Sequence, residues 1–371
     1  MNNVLIIAGE QSGDIHGAAL MREMKAIESS IVFTGIGGDN MIAEGLKPVQ
    51  HIKDMAFLGF TEVVKHLPFI ISVQKQLLKL VNEKKIKKVI LIDYPGFNLS
   101  IAKKLKKLGV TIFYYIAPQI WAWGKRRIKK IKKYIDKMIV VFPFEKDFYT
   151  NAGVAVEYVG HPIIDRLASF QFESRESFYA NYKLDTAKDI LLVMPGSRKH
   201  EISKIFPEVI KAASELTKRY NLQVVVACSE NIDKNAFDSY RAYEFKVIRN
   251  ESYNLLKLSK FGIIKSGTST MEAALIGIPF VVVYSTSAIT YLIGKLLVKL
   301  SSIAMPNIIA GRTIIKEFIQ NNLTSEKLTK YIDEFISNKE QEVKFLRDLE
   351  IVKEKLGQKS APKLAAEIIC S

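Results

Sequence analysis

The sequence predicts an α/β protein made of two Rossmann-like, doubly wound parallel-sheet domains facing each other across a cleft. Three observations predict it. Short apolar runs alternate with stretches of helical spacing. The alternation breaks once, near Gly160–His161–Pro162, and then restarts. The 371 residues suit two domains of about 100–200 residues each. Alternating strand and helix signals give βαβ units, hence a parallel sheet with helices on both faces. The expected domains are 1–165 and 166–344. A C-terminal helix, 345–371, is expected to pack back on the first domain or on a partner subunit. Two such halves suggest a nucleotide-handling enzyme before any motif is read.

In the first half, Val4–Ala8, Ile31–Gly35, Lys88–Ile92, Val110–Ile116, Met138–Phe142 and Ala155–Val159 read as strands. Helical spacing covers Asp14–Ser29, Gly59–Glu83, Leu99–Leu108 and Lys125–Ile135. Each strand end carries a motif. Gly9-Glu10-Gln11-Ser12-Gly13-Asp14 follows the first strand, and its glycines allow close approach of a ligand to backbone amides. It lacks the GxGxxG spacing of a dinucleotide site. Gly35-Ile36-Gly37-Gly38 follows the second. Asp93, after Lys88–Ile92, stands where a general base could take a hydroxyl proton, or it caps the helix behind Pro95. Asn98 reads as the N-cap of Leu99–Leu108. Gln119 and both tryptophans, Trp121 and Trp123, precede a basic helix containing Lys129 and Lys130. Such a stretch suits an interfacial surface, a sugar platform or plain core. Met55, Leu58, Phe60 and Phe69 read as core or as an exposed acyl-binding lip.

In the second half the strands are Ile190–Met194, Leu222–Ala227, Phe245–Arg249, Phe261–Ile264 and Phe280–Tyr284. Gly196-Ser197-Arg198 follows the first of these. Free amides at the next helix start would hold a diphosphate, with Arg198 adding a charge-assisted contact. Ser266-Gly267-Thr268-Ser269 follows Phe261–Ile264, with Glu272 one turn further, able to accept from a ribose diol. Asn307 and Gln320 flank a loop that could close over a nucleotide.

Composition bounds the partners. The chain has 54 Lys+Arg against 38 Asp+Glu, a net +16. From Lys84 to Lys133 there are fifteen Lys/Arg and one acid, Asp93: 15 minus 1 gives +14. Such a face implies an anionic partner. No nucleic-acid module signature is visible, so nucleic acid is not the expected one. Two cysteines, Cys228 and Cys370, suit neither a disulfide framework nor a zinc site. With no secretory leader in the reading, a reducing compartment is expected. The five histidines are not at metal-ligand spacing, and no metal is expected. No GxSxG elbow suggests a hydrolase.

The motifs GEQSGD (9–14), GIGG (35–38), DYPGFN (93–98), APQIWAWG (117–124), VGHP (159–162), PGSR (195–198), SGTSTMEA (266–273), MPN (305–307) and KEFIQ (316–320) together resemble the bacterial lipid-A-disaccharide synthase family. They run in the family's order over about 310 residues. Gln11 stands where the family usually has a small residue, and Gly96 where it often has Asp; both touch acceptor contacts.

The resemblance implies a GT-B architecture and a metal-independent inverting transfer without cofactors. UDP-2,3-diacylglucosamine and 2,3-diacylglucosamine 1-phosphate would give the β-1,6-linked disaccharide 1-phosphate and UDP. Asp93 and Arg198 would be catalytic. Gly196, Ser197, Arg198, Ser266, Gly267, Thr268, Ser269, Glu272, Asn307 and Gln320 would bind the donor. Glu10, Ser12, Gly13, Asn98, Gln119 and Trp121 would bind the acceptor. Met55, Leu58, Phe60, Phe69, Lys129 and Lys130 would meet the anionic cytoplasmic face of the inner membrane. A homodimer is a further expectation. Two alternatives remain: another UDP-sugar GT-B enzyme, such as a muramyl-peptide N-acetylglucosaminyltransferase or an epimerase, and a basic membrane- or nucleic-acid-binding protein.

Overall fold

The computed structural model describes residues 2–55, 66–121, 127–229, 232–233, 235–287, 291, 302–357 and 360–371. The expectations for Leu58, Phe60 and Trp123 lie outside the described residues. The chain divides into two compact units, 1–165 with 356–371, and 166–355.

In the first unit, seven strands form one parallel sheet: β1 (Asn3–Ala8), β2 (Val32–Gly37), β3 (Lys47–His51), β4 (Lys88–Ile92), β5 (Thr111–Tyr115), β6 (Lys137–Val140) and β7 (Val156–Tyr158). Their order is β3-β2-β1-β4-β5-β6-β7. The central strands are apolar throughout because helices cover both faces; Leu5, Ile6 and Ile7 are all fully buried. The helices are α1 (Gln11–Ile27), α2 (Asp39–Ala43), α3 (Leu67–Glu83), α4 (Pro95–Lys106), α5 (Ile128–Tyr134) and α6 (Pro143–Asn151). Helix α7 (Pro162–Ser169) then carries the chain into the second unit.

That unit holds six parallel strands: β8 (Asp189–Met194), β9 (Leu222–Cys228), β10 (Lys246–Arg249), β11 (Ser259–Lys265), β12 (Phe280–Tyr284) and β13 (Glu317–Ile319). Their order is β10-β9-β8-β11-β12-β13. Its helices are α8 (Arg175–Asn181), α9 (Lys199–Arg219), α10 (Ser252–Leu258), α11 (Thr268–Ile276), α12 (Met305–Ala310), α13 (Ser325–Ile336) and α14 (Lys339–Lys355). Helix α9 shows why such segments are helical. Ile202, Ile205, Phe206, Val209, Ala213 and Leu216 recur at helical spacing and are all buried.

The last stretch differs from the single helix expected over 345–371. Helix α14 packs on α11 and α12 in the second unit, and a separate helix, α15 (Ala361–Cys370), packs on α1 in the first. Asp165 sets the start of α15, accepting from the Ser360 and Ala361 amides at 2.5 and 3.1 Å. Lys88 Nζ meets the Ile369 carbonyl at its end, 2.7 Å away.

Two further corrections concern boundaries and burial. Helix α4 begins at Pro95, four residues before the expected start, so Asn98 is not its N-cap. Proline at the first helical turn was the signal to follow. Met55 is fully buried in the first core and cannot form an exposed lip. Phe69 is half-buried against the same core, whereas Leu67 and Ile71 beside it are 48% and 40% exposed.

Candidate active site

Both sheets change winding direction once, between β1 and β4 and between β8 and β11. A crevice opens at the carboxyl ends of strands where the order reverses, and ligands bind there in open α/β sheets. The four principal motifs stand at these two points. Glu10 follows β1 and Asp93 follows β4, and the strands pair Ala8 with Ile92. Arg198 follows β8 and Gly267 follows β11, with Met194 paired to Ile264.

At the first switch point the backbone is strained. Asp93 and Tyr94 take positive φ of 42° and 47°, and Ile116 after β5 has φ 60°. Such left-handed residues cost on the order of 1–3 kcal/mol each and persist only where the surroundings dictate them. Here several bonds do so. Asn98 is fully buried within α4, and its amide donates to the Ile92 and Asp93 carbonyls at 3.1 and 2.7 Å. Tyr114 Oη donates to the Asp93 carbonyl at 2.5 Å, and Tyr94 Oη to the Met55 carbonyl at 3.1 Å. A side chain at Gly9 would lie 2.2 Å from the Tyr94 ring, so this turn admits only glycine. Asn98 thus fixes the Asp93 turn from below instead of facing an acceptor directly.

Burial pushes the Asp93 carboxyl up to about 6, with the charge of Glu10 adding to the shift. Glu10 and Ser12 are exposed at the start of α1, and Gln119 is exposed beyond β5. Gly13 is buried; a side chain there would meet Ala8 Cβ at 3.2 Å. Trp121 is half-buried, and its indole N–H donates to Glu145 Oε1 at 3.1 Å.

The first motif also carries a residue whose part shows only in the structure. Asp14 is 1% exposed and ties the two glycine turns of this unit together. It accepts from the Gly38 amide at 2.7 Å, the Met41 amide at 3.0 Å, and the Asn40 amide and side chain at 3.1 and 2.8 Å.

The second switch point is built differently. Gly196 has φ +124°, which a side chain would strain, and Glu201 fills the space beside it. Glu201 is buried. It accepts from the Ser197 amide at 3.1 Å, pairs with Lys265 at 2.8 Å and lies 3.9 Å from Arg198. The Ser197 amide is therefore not free for a diphosphate, as the sequence had suggested. Burial alone would raise Glu201, but Lys265, the Ser197 amide and Arg198 outweigh it and hold its carboxyl below the ordinary value. The Arg198 side chain is 58% exposed, available to an anion.

Across the switch, Gly267 and Thr268 are exposed and Ser269 half-buried at the start of α11. Ser266 Oγ donates to the Ile303 carbonyl at 3.1 Å. Glu272 is 9% exposed; burial raises its carboxyl, with Arg166 working against the shift. Arg166 lies over the Tyr253 ring at 5.6 Å, and the buried Tyr253 hydroxyl has no hydrogen-bond partner among the described residues. Asn307 spends both ends of its amide internally, accepting from Ile314 and Ile315 and donating to Ile315 and Glu317. Gln320 bonds the backbone of Thr286 at 2.7 and 3.2 Å. These two residues shape the loops around the site. Among the described residues, no group of three or more His, Cys, Asp or Glu gathers as a metal-ligand set.

Comparison with known proteins is consistent along the whole chain. The profile of the lipid-A-disaccharide synthetase family matches residues 4–369. The lipid-A-disaccharide synthase of Geobacter metallireducens is 36% identical, covering 99% of this chain and 96% of that protein. That of Trichlorobacter lovleyi is 38% identical, covering 99% and 97%. Among solved structures, the UDP-GlcNAc 2-epimerase of Neisseria meningitidis bound to UDP-GlcNAc matches with a TM-score of 0.66 at 14% identity, covering 99% of this chain and 98% of that one. Acinetobacter baumannii MurG matches with a TM-score of 0.61 at 13% identity, covering 100% and 99%. These structural likenesses give the fold, two α/β units of the GT-B kind. The chain belongs to the lipid-A-disaccharide synthetase family.

Proposed function

We propose that this protein is an inverting glycosyltransferase that joins UDP-2,3-diacylglucosamine to 2,3-diacylglucosamine 1-phosphate. The observation that carries the mechanism is Asp93 in its strained turn at the first switch point. With a pKa near 6 it is ionised at neutral pH yet still basic enough to take a proton, the compromise general-base catalysis favours. It removes the proton from the acceptor 6-hydroxyl as that oxygen attacks the anomeric carbon of the donor. The new C–O bond forms on the face opposite the departing UDP, which gives the β-1,6 linkage. Arg198 offsets the charge that develops on the diphosphate, and Glu272 accepts from the ribose hydroxyls. In this reading that charge is met by protein groups, with no metal or cofactor required. The family membership favours these substrates over those of other UDP-sugar enzymes sharing the fold.

Purified protein given both substrates should yield one UDP per disaccharide 1-phosphate by mass spectrometry. UDP release that does not depend on the acceptor would overturn the reading.

Both substrates are lipids, so the site must reach a bilayer. No helix among the described residues is long and apolar enough to cross a membrane. The reading is peripheral binding at the cytoplasmic face of the inner membrane. Lys129, Lys130, Lys132 and Lys133 are exposed on α5, and Leu67 and Ile71 supply apolar area at the start of α3. Lysines near an anionic surface contribute about 1 kcal/mol each and are screened by salt. Co-sedimentation with anionic vesicles should fall at high salt, and in the variant with all four lysines changed to Glu. Equal binding to neutral vesicles would contradict it.

A further inference from the structure

The segment after β5 that carries Gln119 and Trp121 rests on α6. Glu145 and Tyr149 stand four residues apart on that helix, hence on one face. Glu145 is 1% exposed and Tyr149 is fully buried. Glu145 Oε1 accepts from Trp121 Nε1 at 3.1 Å, and its Oε2 accepts from the Phe142 amide at 3.2 Å. The Tyr149 hydroxyl reaches the Pro118 carbonyl at 3.4 Å. Phe144 packs edge-on against Trp121, with ring centres 4.7 Å apart.

The Phe142 bond is half of an ordinary capping box, for which glutamine serves as well as glutamate. It needs one oxygen. The second oxygen goes to a tryptophan from a distant part of the chain, which capping does not explain. Holding a carboxyl in this buried place is costly. Burial pushes it up to about 8, despite the N–H bonds from Phe142 and Trp121 that favour its ionised form. Two buried side chains thus hold the two ends of one short segment, beside the strand that neighbours Asp93's own.

We propose that Glu145 and Tyr149 are positioning residues, acting through Trp121 and Pro118 to hold the 117–121 segment in place for the acceptor. This rests on the reading of the first switch point as the acceptor site. The groups that face Glu145 are Trp121 from the segment, Asp93 from the turn after β4 and Tyr149 from its own helix; Tyr114 of β5 faces Tyr149 in turn. Between about pH 6 and 8, Asp93 is ionised while Glu145 keeps its proton. Loss of the proton above that window strengthens the N–H bonds from Phe142 and Trp121, which favour the ionised form, so the hold on the segment tightens.

The test compares wild type with Trp121→Phe, Glu145→Ala, Glu145→Gln and Tyr149→Phe. Acceptor KM is measured from about pH 6.5 to 9, a range that brackets the carboxyl's own value. UDP affinity by calorimetry serves as the control for the other unit. Trp121→Phe keeps the ring packing and loses the N–H. It and Glu145→Ala should raise acceptor KM about tenfold, the scale of one lost hydrogen bond to a buried group, with UDP affinity unchanged. Glu145→Gln offers one acceptor oxygen to two N–H groups, so it should recover only part of the loss, and it should abolish the fall in acceptor KM at alkaline pH. Tyr149→Phe should show a smaller rise. Folded Trp121→Phe with wild-type acceptor KM would overturn the proposal, even if Glu145→Ala fails to fold. So would an alkaline fall in acceptor KM that persists in Glu145→Gln. Asp93→Asn separates the two levels. Full turnover in that variant removes the acceptor-site reading itself, whereas an inactive Asp93→Asn beside a normal Trp121→Phe removes only the positioning role.

Discussion

The two units share a topology and use it for opposite electrostatics. Each places a carboxylate near its switch point, Asp93 in the turn after β4 and Glu201 in the first turn of α9. In the first, Asp93 is pushed up by burial and by the like charge of Glu10. In the second, Glu201 is held low by Lys265, the Ser197 amide and Arg198. The first arrangement suits the proton acceptor proposed for Asp93; the second makes an internal anion that pairs with Lys265 beside a glycine turn. Topology therefore selects where chemistry occurs, and the partner of a single carboxylate selects which chemistry. The strain differs too. Asp93 and Tyr94 take positive φ at the first switch point, as does Ile116 after the neighbouring β5, while at the second the positive φ falls on Gly196, where it costs little.

The largest effect should come from breaking the first site. Asp93→Asn should lower turnover roughly 10²–10⁴-fold, the usual scale for a lost general base, with UDP affinity intact. The same change should stabilise the fold at neutral pH. The folded pKa of Asp93 lies above its unfolded value, so its proton favours the folded state. That contribution is present below the unfolded pKa and is lost as pH rises through about 6. A thermal melt at pH 7 should therefore show Asp93→Asn above wild type, and a lower melting point would count against the buried, raised carboxyl.

Breaking the second site should act on stability first. Glu201→Ala leaves Lys265, 19% exposed, without its partner. Removing one member of a fully buried pair costs roughly 3–5 kcal/mol, and this pair should approach the lower end. Denaturant titration of the variant measures it; a change under about 0.5 kcal/mol would fall within the range of ordinary surface substitutions and refute the role. Smaller still are the ligand effects. Arg198→Ala and Glu272→Ala should each weaken UDP about tenfold or more by calorimetry, since a charge-assisted hydrogen bond contributes about 1.5–3 kcal/mol. Unchanged affinity in both would remove the donor assignment.

Much of this comparison was legible in the sequence. The central strands are continuous apolar runs because they are covered on both faces, and the motifs fall at their ends. What escaped has physical causes. Strands β3 and β13 lie at sheet edges; β3 begins Lys47-Pro48 and carries no apolar run, as edge strands often do not. Asp14 and Glu145 look like ordinary polar residues of a helical turn, and their roles arise from partners 24 to 27 positions away. The part of Glu201 is legible, because an acid four positions after Ser197, the residue that follows the turn glycine, can reach back to its amide. The residue type of Asn98 favours a cap, but Pro95 marks the true start.

The claim that like charge and burial make Asp93 the base is tested most directly by the pH dependence of kcat/KM in wild type and Glu10→Gln. An Asp93 that must be ionised gives activity that falls as pH drops through about 6. Removing the Glu10 charge lowers the Asp93 pKa, so the acid limb should move to lower pH in Glu10→Gln, with the alkaline side unmoved. An acid limb that stays in place, or moves upward, would contradict the account.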